Sequence, residues 1–352
     1  MFNSVKKVIL KEIKEKGDIP FKRYMELCLY HPKYGYYSNV KKLGREGDFF
    51  TSAHVGALVG KIISKVAEDY FEGYQGKINV VELGAGEGFL AKDFLDFTAK
   101  ENIDLYSRLT YHIVEKNKSV YKRIDKNLQE HSSKYIPYSD IEELPSFDKV
   151  FIFSNEFFDA FPVHVVSRRK GILCELYIGY EKGVYVKRFK PPSPEVLKEI
   201  EELGIEVCEN CEFEINTDLE GFYRLLNDKF SSFKMVTIDY GYGQEELYHP
   251  DRNRGTLMGY HKHKAYENIF QLEGEMDITS HVNFDALIHY GKKYGIESVY
   301  FKNQRTFLLD HGLFEVLKEG QELSLNESFQ LKTLLLPDSM GDIFKVLIQE
   351  KS

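Results

Sequence analysis

In "FIFSNEFFDAFPVHVV", which begins at Phe151, one amide and two carboxylates, Asn155, Glu156 and Asp159, stand among aromatic side chains at the end of an apolar run. Carboxylates beside apolar rings are costly unless a charge or a hydrogen-bond donor meets them. These three residues are therefore candidates for catalysis. The same text also fits a structural role, with Asn155 capping a helix and the acids favouring its dipole from the first turn.

A second candidate is "VVELGAGEGFL", where Gly84, Gly86 and Gly88 follow a buried strand and precede a helix. Glycine there permits a tight turn and close approach of the backbone to a ligand. A dinucleotide turn would carry its third small residue at position 89, which is Phe89 in this chain. Glu82, two residues before the first glycine, would accept a hydrogen bond from a ligand ammonium and would repel a pyrophosphate. Glu115 ends the next strand in "YHIVEKN", the place from which an acid binds two ribose hydroxyls in open α/β sheets. Together these signals point to an adenosine-containing ligand.

The elements that must position these residues are legible from Ile78 onward, where "INVVEL", "LTYHIVE" and "FDKVFIFS" alternate with "FLAKDFLDFTAK" and "KSVYKRIDKNLQEH". Buried strands alternating with amphipathic helices predict an α/β fold with a parallel sheet between helices. Further strands are expected at "FKMVTIDY", "IESVYF" and "FKVLIQE". Between Val163 and Phe233 the text turns hairpin-like, punctuated by Gly183 and Pro191-Pro192, and predicts an insertion over the end of the sheet.

Composition bounds the rest. A chain of 352 residues forms one large domain or two ordinary ones. The net charge of -8 and the scatter of its cations argue against a nucleic-acid footprint. No stretch approaches the ~20 apolar residues that would insert across a bilayer. The opening "MFNSVKKVILKEIKEKG" mixes Lys and Glu at helical spacing, unlike a signal or transit peptide, and predicts a cytoplasmic protein. Cys28, Cys174, Cys208 and Cys211 are too few and too spread for a disulfide framework, so reduced thiols are expected. The lone Cys208–Cys211 pair lacks the four ligands of structural zinc, and no metal site is expected. Oligomeric state is left open by the sequence.

Several stretches together resemble one known family. "ELGAGEG" with "HIVEKN" looks like a class I S-adenosylmethionine-dependent methyltransferase, and "GDFFTS", "NEFFDAFPVH", "IDYGY", "RGTLMGYHKH", "GEMDITSHVNFDAL" and "LLLPDSMGDIFKVL" narrow the resemblance to the MidA-like family, which includes the mitochondrial complex I assembly methyltransferases. The resemblance runs in order from about Pro20 to about Lys345. It implies a Rossmann-like, mostly parallel seven-stranded sheet that binds S-adenosylmethionine at the carboxyl ends of its first strands. Gly84, Gly86 and Gly88 would line the methionine and ribose, Glu82 would support the turn, and Glu115 would take the ribose hydroxyls. Asp48, Phe49 and Thr51 would cap the cofactor, while Asp140 and Ile141 would face the adenine. The implied organisation is an N-terminal helical cap with the cofactor loop (1–73), the first half of the core (74–162), an inserted lid or substrate region (163–232) and the second half of the core (233–352).

Members of this family are linked to arginine methylation of protein partners, which gives the opening acids a role. A guanidinium presents five donors in a planar fork and pairs bidentately with carboxylate, so Glu156 and Asp159 are suited to orient it beside Asn155. The expected activity is N-methylation of arginine in a protein. Two further readings are an assembly factor that binds the cofactor without transferring its methyl group, and a small-molecule or RNA methyltransferase. Ala53-His54 and Asn283 depart from the family's usual Pro-Glu and Asp, and both changes bear on the choice of substrate.

Overall fold

The computed structural model describes residues 4–38, 57–317, 325–336 and 340–352. Contacts divide the chain into two compact units: Phe50–Phe157, Tyr223–Tyr240 and Gly291–Ser352 form the sheet unit, and Met1–Phe49, Phe158–Phe222 and Gly241–Tyr290 form the second unit. The sequence reading kept 233–352 together, whereas Gly241–Tyr290 clusters here with the second unit.

In the sheet unit, β1 (Ile78–Leu83), β2 (Leu109–Val114), β3 (Tyr135–Tyr138), β4 (Phe147–Asn155), β5 (Phe230–Tyr242), β6 (Glu297–Asn303) and β7 (Phe344–Lys351) lie in the order β6-β7-β5-β4-β1-β2-β3. The pairs β1–β2, β2–β3, β1–β4 and β4–β5 are parallel. Strand β7 is antiparallel to both β5 and β6. Central strands covered on both faces need continuous apolar text, and Val150, Phe151, Ile152 and Phe153 of β4 are all fully buried. Two helices, α1 (Ala57–Tyr70) and α2 (Phe89–Glu101), meet at Gly60, where a β-carbon would lie 2.7 Å from Cβ of Asp93. Their close approach is completed by the Ser64 and Thr98 hydroxyls, 2.7 Å apart.

The chain moves outward from β1 to β3 and then returns to lay β4 on the other side of β1. At such a reversal the loops after the two central strands diverge and leave a crevice outside their carboxyl ends. The glycine turn follows β1 and the Asn155–Glu156 segment follows β4, so the topology puts both at that crevice.

The second unit is built mainly of antiparallel strands. His164–Arg169, Ile172–Glu181 and Val184–Lys190 are joined by the two-residue turns Lys170-Gly171 and Lys182-Gly183, all four residues at positive φ. Such primed turns match the twist of the strands they connect. Helix Pro194–Leu203 starts with proline in its first turn and ends at the left-handed Gly204. Tyr24, Met25, Cys28, Val165, Ile178 and Ile278 belong to this unit's buried core.

The expectation of reduced thiols fails at one pair, because Cys208 and Cys211 form a disulfide with their Cα atoms 5.4 Å apart. Left-handed Asn210 and the Cys211 amide donating to the Cys208 carbonyl at 3.3 Å curl the segment and bring the two sulfurs together. Among the described residues no helix is long and apolar enough to cross a membrane.

Candidate functional site

The glycine turn departs from ordinary backbone geometry at three positions: Gly84, Gly86 and Gly88 have φ of 72°, 55° and 77°. A side chain at any of them would be strained. Their surroundings differ. A β-carbon on Gly84 would come within 3.0 Å of the Phe157 ring, whereas one on Gly86 would meet no atom of the described residues within 4 Å. The first glycine therefore serves packing inside the chain, and the second is unobstructed among the described residues, where a ligand can fit.

Glu115 closes the turn from the neighbouring strand. Its Oε2 accepts from the Gly86 amide at 2.9 Å, and its Oε1 accepts from the Asn117 amide at 2.7 Å. A carboxylate has about four lone-pair sites, so two amide donors leave acceptor capacity for a pair of hydroxyls. Burial raises the Glu115 carboxyl and the two amides oppose that rise.

Glu82 lies lower on β1 and is buried, its Oε2 accepting from the Tyr111 hydroxyl at 2.7 Å. Burial pushes its carboxyl up to about 8, with the Tyr111 hydrogen bond working against the shift. Asp140, after β3, is exposed and accepts from the Glu142 amide at 2.9 Å, so it caps the short turn that carries half-buried Ile141. Asp48, Phe49 and Thr51 lie outside the described residues, as does His54.

After β4 no helix begins, so Asn155 is not a helix cap. The chain instead turns at Glu156, whose φ is 53°, while its amide still donates to the Ile238 carbonyl of β5 at 3.0 Å. The Asn155 side-chain amide donates to Glu156 Oε1 at 3.2 Å. Asp239, whose role was not evident in the sequence, holds the turn by accepting from the Phe157 amide at 3.1 Å. Its other oxygen accepts from the Tyr240 amide at 3.0 Å, and the residue is fully buried. The available signal was an acid ending the apolar run of "IDYGY", the same pattern that drew attention to "SNEFFD".

The boundary between units falls after Phe157, so Asn155 and Glu156 belong with the sheet and Asp159 with the second unit. There Asp159 is buried, and its carbonyl accepts from the Ser280 amide at 3.1 Å. Burial, then the charges of Asp277 and Asp159 among its neighbours, raise the Tyr37 hydroxyl. Asn283 caps its helix by accepting from the Ala286 amide at 3.1 Å, and its amide donates to the Tyr248 hydroxyl at 3.3 Å.

Residues 61–302 match the family described as "Putative S-adenosyl-L-methionine-dependent methyltransferase". The chain belongs to that family. A protein from Burkholderia thailandensis, solved with S-adenosyl-homocysteine bound, superposes with a TM-score of 0.88 at 27% identity over 98% of this chain and 91% of its own. The native crystal structure of a protein from the same organism gives a TM-score of 0.86 at 27% identity, covering 98% and 90% of the two chains. Among curated relatives, the mitochondrial protein arginine methyltransferase NDUFAF7 homolog of Caenorhabditis elegans is 26% identical over 97% of this chain and 85% of its own length. The mitochondrial protein of that name from Rattus norvegicus is 25% identical, covering 96% and 82%. These relatives are mitochondrial by name, which overturns the expectation of a cytoplasmic protein. The chain is an S-adenosylmethionine-dependent methyltransferase.

Proposed function

We propose that this methyltransferase transfers the methyl group of S-adenosylmethionine to a nitrogen of arginine in a protein partner. The observation that supports the reading is the junction of the two turns: the Phe157 ring lies against Gly84, so the Glu156 segment flanks the glycine turn. The names of the relatives, protein arginine methyltransferases, agree with it.

S-adenosylmethionine supplies an electrophilic methyl carbon when bound. The residues present fit that group, since no described residue crowds Gly86 and Glu115 keeps acceptor capacity beside it. In this reading Glu115 receives the ribose hydroxyls, the glycines admit the methionine and ribose, and Glu82, on its Tyr111 partner, supports the turn. Asp140 and Ile141 border the adenine, and Asp48, Phe49 and Thr51 complete the cofactor's enclosure.

Arginine is a poor nucleophile because its guanidinium holds its protons to a pKa above ~12. Glu156, steadied by Asn155 through the bond between their side chains, accepts N–H donors of the planar group, and Asp159 is a further carboxylate assigned to the acceptor's donors. Aligning a nitrogen with the methyl carbon is then the main catalytic contribution. The second unit, with its Phe158–Phe222 segment, handles the partner protein.

The test is to incubate the protein with methyl-labelled cofactor and a lysate from cells that lack it. Label in polypeptide is the expected result. Label confined to RNA or small solutes would contradict the reading.

A further inference from the structure

The Cys208–Cys211 disulfide takes no part in the reaction above, and its two sulfurs differ in access. Cys211 is 3% exposed and packs with Val166, Val207 and Phe213 in a core of the second unit. Cys208 is half-buried at the rim of that core, near exposed Glu206 and Glu209. A nucleophile in solvent therefore reaches Cys208 and leaves Cys211 as the departing sulfur.

The loop around the pair is held by bonds that do not involve the disulfide. Glu209 accepts from the Lys170 and Gly171 amides at 2.5 and 3.0 Å, so its carboxylate caps the hairpin turn. The Asn210 amide donates to the Arg168 carbonyl at 2.7 Å, and the Arg168 guanidinium donates to the Val207 carbonyl at 2.9 Å. On the far side of the pair the Glu212 amide donates to the Asn253 carbonyl at 2.9 Å. Cys211 Sγ also lies 3.7 Å from the Glu209 carbonyl, an acceptor for its S–H once the disulfide opens. Both redox forms thus fit one loop conformation.

We propose that Cys208–Cys211 is a reversible thiol–disulfide exchange site whose reaction partner is a dithiol. One thiolate of the dithiol attacks Cys208 Sγ, the Cys208–Cys211 bond breaks, and Cys211 leaves as a thiolate that takes a proton from water. The partner's second thiolate then attacks its own sulfur in the mixed disulfide, which releases Cys208 as a thiolate to be protonated and the partner as a disulfide. Two electrons pass from the dithiol to the protein. With a monothiol the loop keeps Cys211 beside the mixed disulfide, and its intramolecular attack outruns a second thiol from solution. The pair precedes strand Glu212–Ile215, not a helix, and Glu206, Glu209 and Glu212 flank it, so its thiolates lack the stabilisation of a helix N-terminus and the oxidised form is the resting one. The proposal goes beyond the arginine reading and does not depend on it.

The test equilibrates the full chain with dithiothreitol or 2-mercaptoethanol at equal thiol concentration, quenches in acid, denatures and alkylates, and reads Cys208 and Cys211 by peptide mapping. Dithiothreitol should open the bond in at least about tenfold more of the chain than 2-mercaptoethanol, and any trapped monothiol adduct should lie on Cys208. Oxidised glutathione, added after the reductant is removed, should restore the bond, and the Lys170, Gly171 and Asn210 amides should stay protected from exchange in both forms. Equal reduction by the two reagents would overturn the dithiol assignment. Failure of the bond to re-form, or loss of that protection on reduction, would overturn the reversible site. Glu209→Ala frees two amides and loosens the reduced loop, so it should move the equilibrium toward the open form by about tenfold, the scale of a hydrogen bond to a charged group. An unchanged equilibrium in that variant would contradict the part given to the loop; should the variant fail to fold, the wild-type measurements decide.

Discussion

The Gly86 amide donates to Glu115 Oε2 at 2.9 Å, so the turn after β1 and the end of β2 are locked together before any ligand arrives. That bond joins the two sequence signals for an adenosine-containing ligand into one surface. It also gives Glu115 two duties, holding the turn and presenting its remaining acceptors.

Gly86→Ala should abolish S-adenosylmethionine binding with little loss of fold. The new methyl group meets no atom of the described residues within 4 Å, and the left-handed backbone costs an L-residue roughly 1–2 kcal/mol. Gly84→Ala should behave differently, since its methyl group would press on Phe157 at 3.0 Å. Calorimetry and thermal melts on both variants check this; unchanged cofactor affinity in Gly86→Ala would contradict it.

Glu115→Ala removes an acceptor for the ribose hydroxyls and should weaken cofactor binding by ~1–3 kcal/mol. It also frees the Gly86 and Asn117 amides, so amide exchange across 84–88 should quicken in the cofactor-free protein. Protection that stays at the wild-type level would show that the turn holds itself.

Glu82 gives a pH dependence with a definite sign. Its carboxyl is raised to about 8 in the fold from an ordinary value of 4.5, so between those values the folded chain keeps a proton that the unfolded chain has released. Stability of the cofactor-free protein should therefore fall as pH rises through that window. Glu82→Gln should flatten the fall, as followed by melting temperature from acid to mild alkali. Parallel curves for the two proteins would mean that Glu82 ionises normally.

The Cys208–Cys211 disulfide closes a short loop, for which chain-entropy arguments give about 2 kcal/mol at most. Replacing both residues with Ser should lower stability on that scale and leave methyl transfer per folded molecule unchanged. Insensitivity of the wild-type melting temperature to reductant would speak against the bond.

The strands and the glycine turn were legible because their signals are local: apolar runs such as "INVVEL" end in Gly-rich turns, and Gly183 marks a hairpin. What surrounds Glu156 was not. Asn155 followed by the acids Glu156 and Asp159 reads also as a helix start, and the Ile238 carbonyl and Asp239 carboxylate of β5, some 82 residues away, turn the chain instead. The grouping of Gly241–Tyr290 with the inserted segment rests likewise on long-range contacts, such as Thr256 and Leu257 donating to Glu214. The cysteine pair was misread because a three-residue spacing says nothing of redox state until Asn210 turns left-handed.

Asp159→Asn keeps the size of the side chain and removes its charge. Cofactor affinity should survive, while methyl transfer should fall by ~10²-fold or more, as for loss of a positioned electrostatic group. Glu156→Gln should act similarly. Transfer per folded molecule that is unchanged in Asp159→Asn, with a lower melting temperature, would mean that this buried acid serves only the fold.

The most direct test is to identify the methylated atom. Polypeptide labelled by the protein and methyl-labelled cofactor is digested, and the modified residue is located by mass spectrometry. The account predicts a methyl group on a guanidinium nitrogen of arginine, absent from the reaction with Gly86→Ala. A methyl group on any other residue type, or tight cofactor binding with no transfer at all, would contradict it.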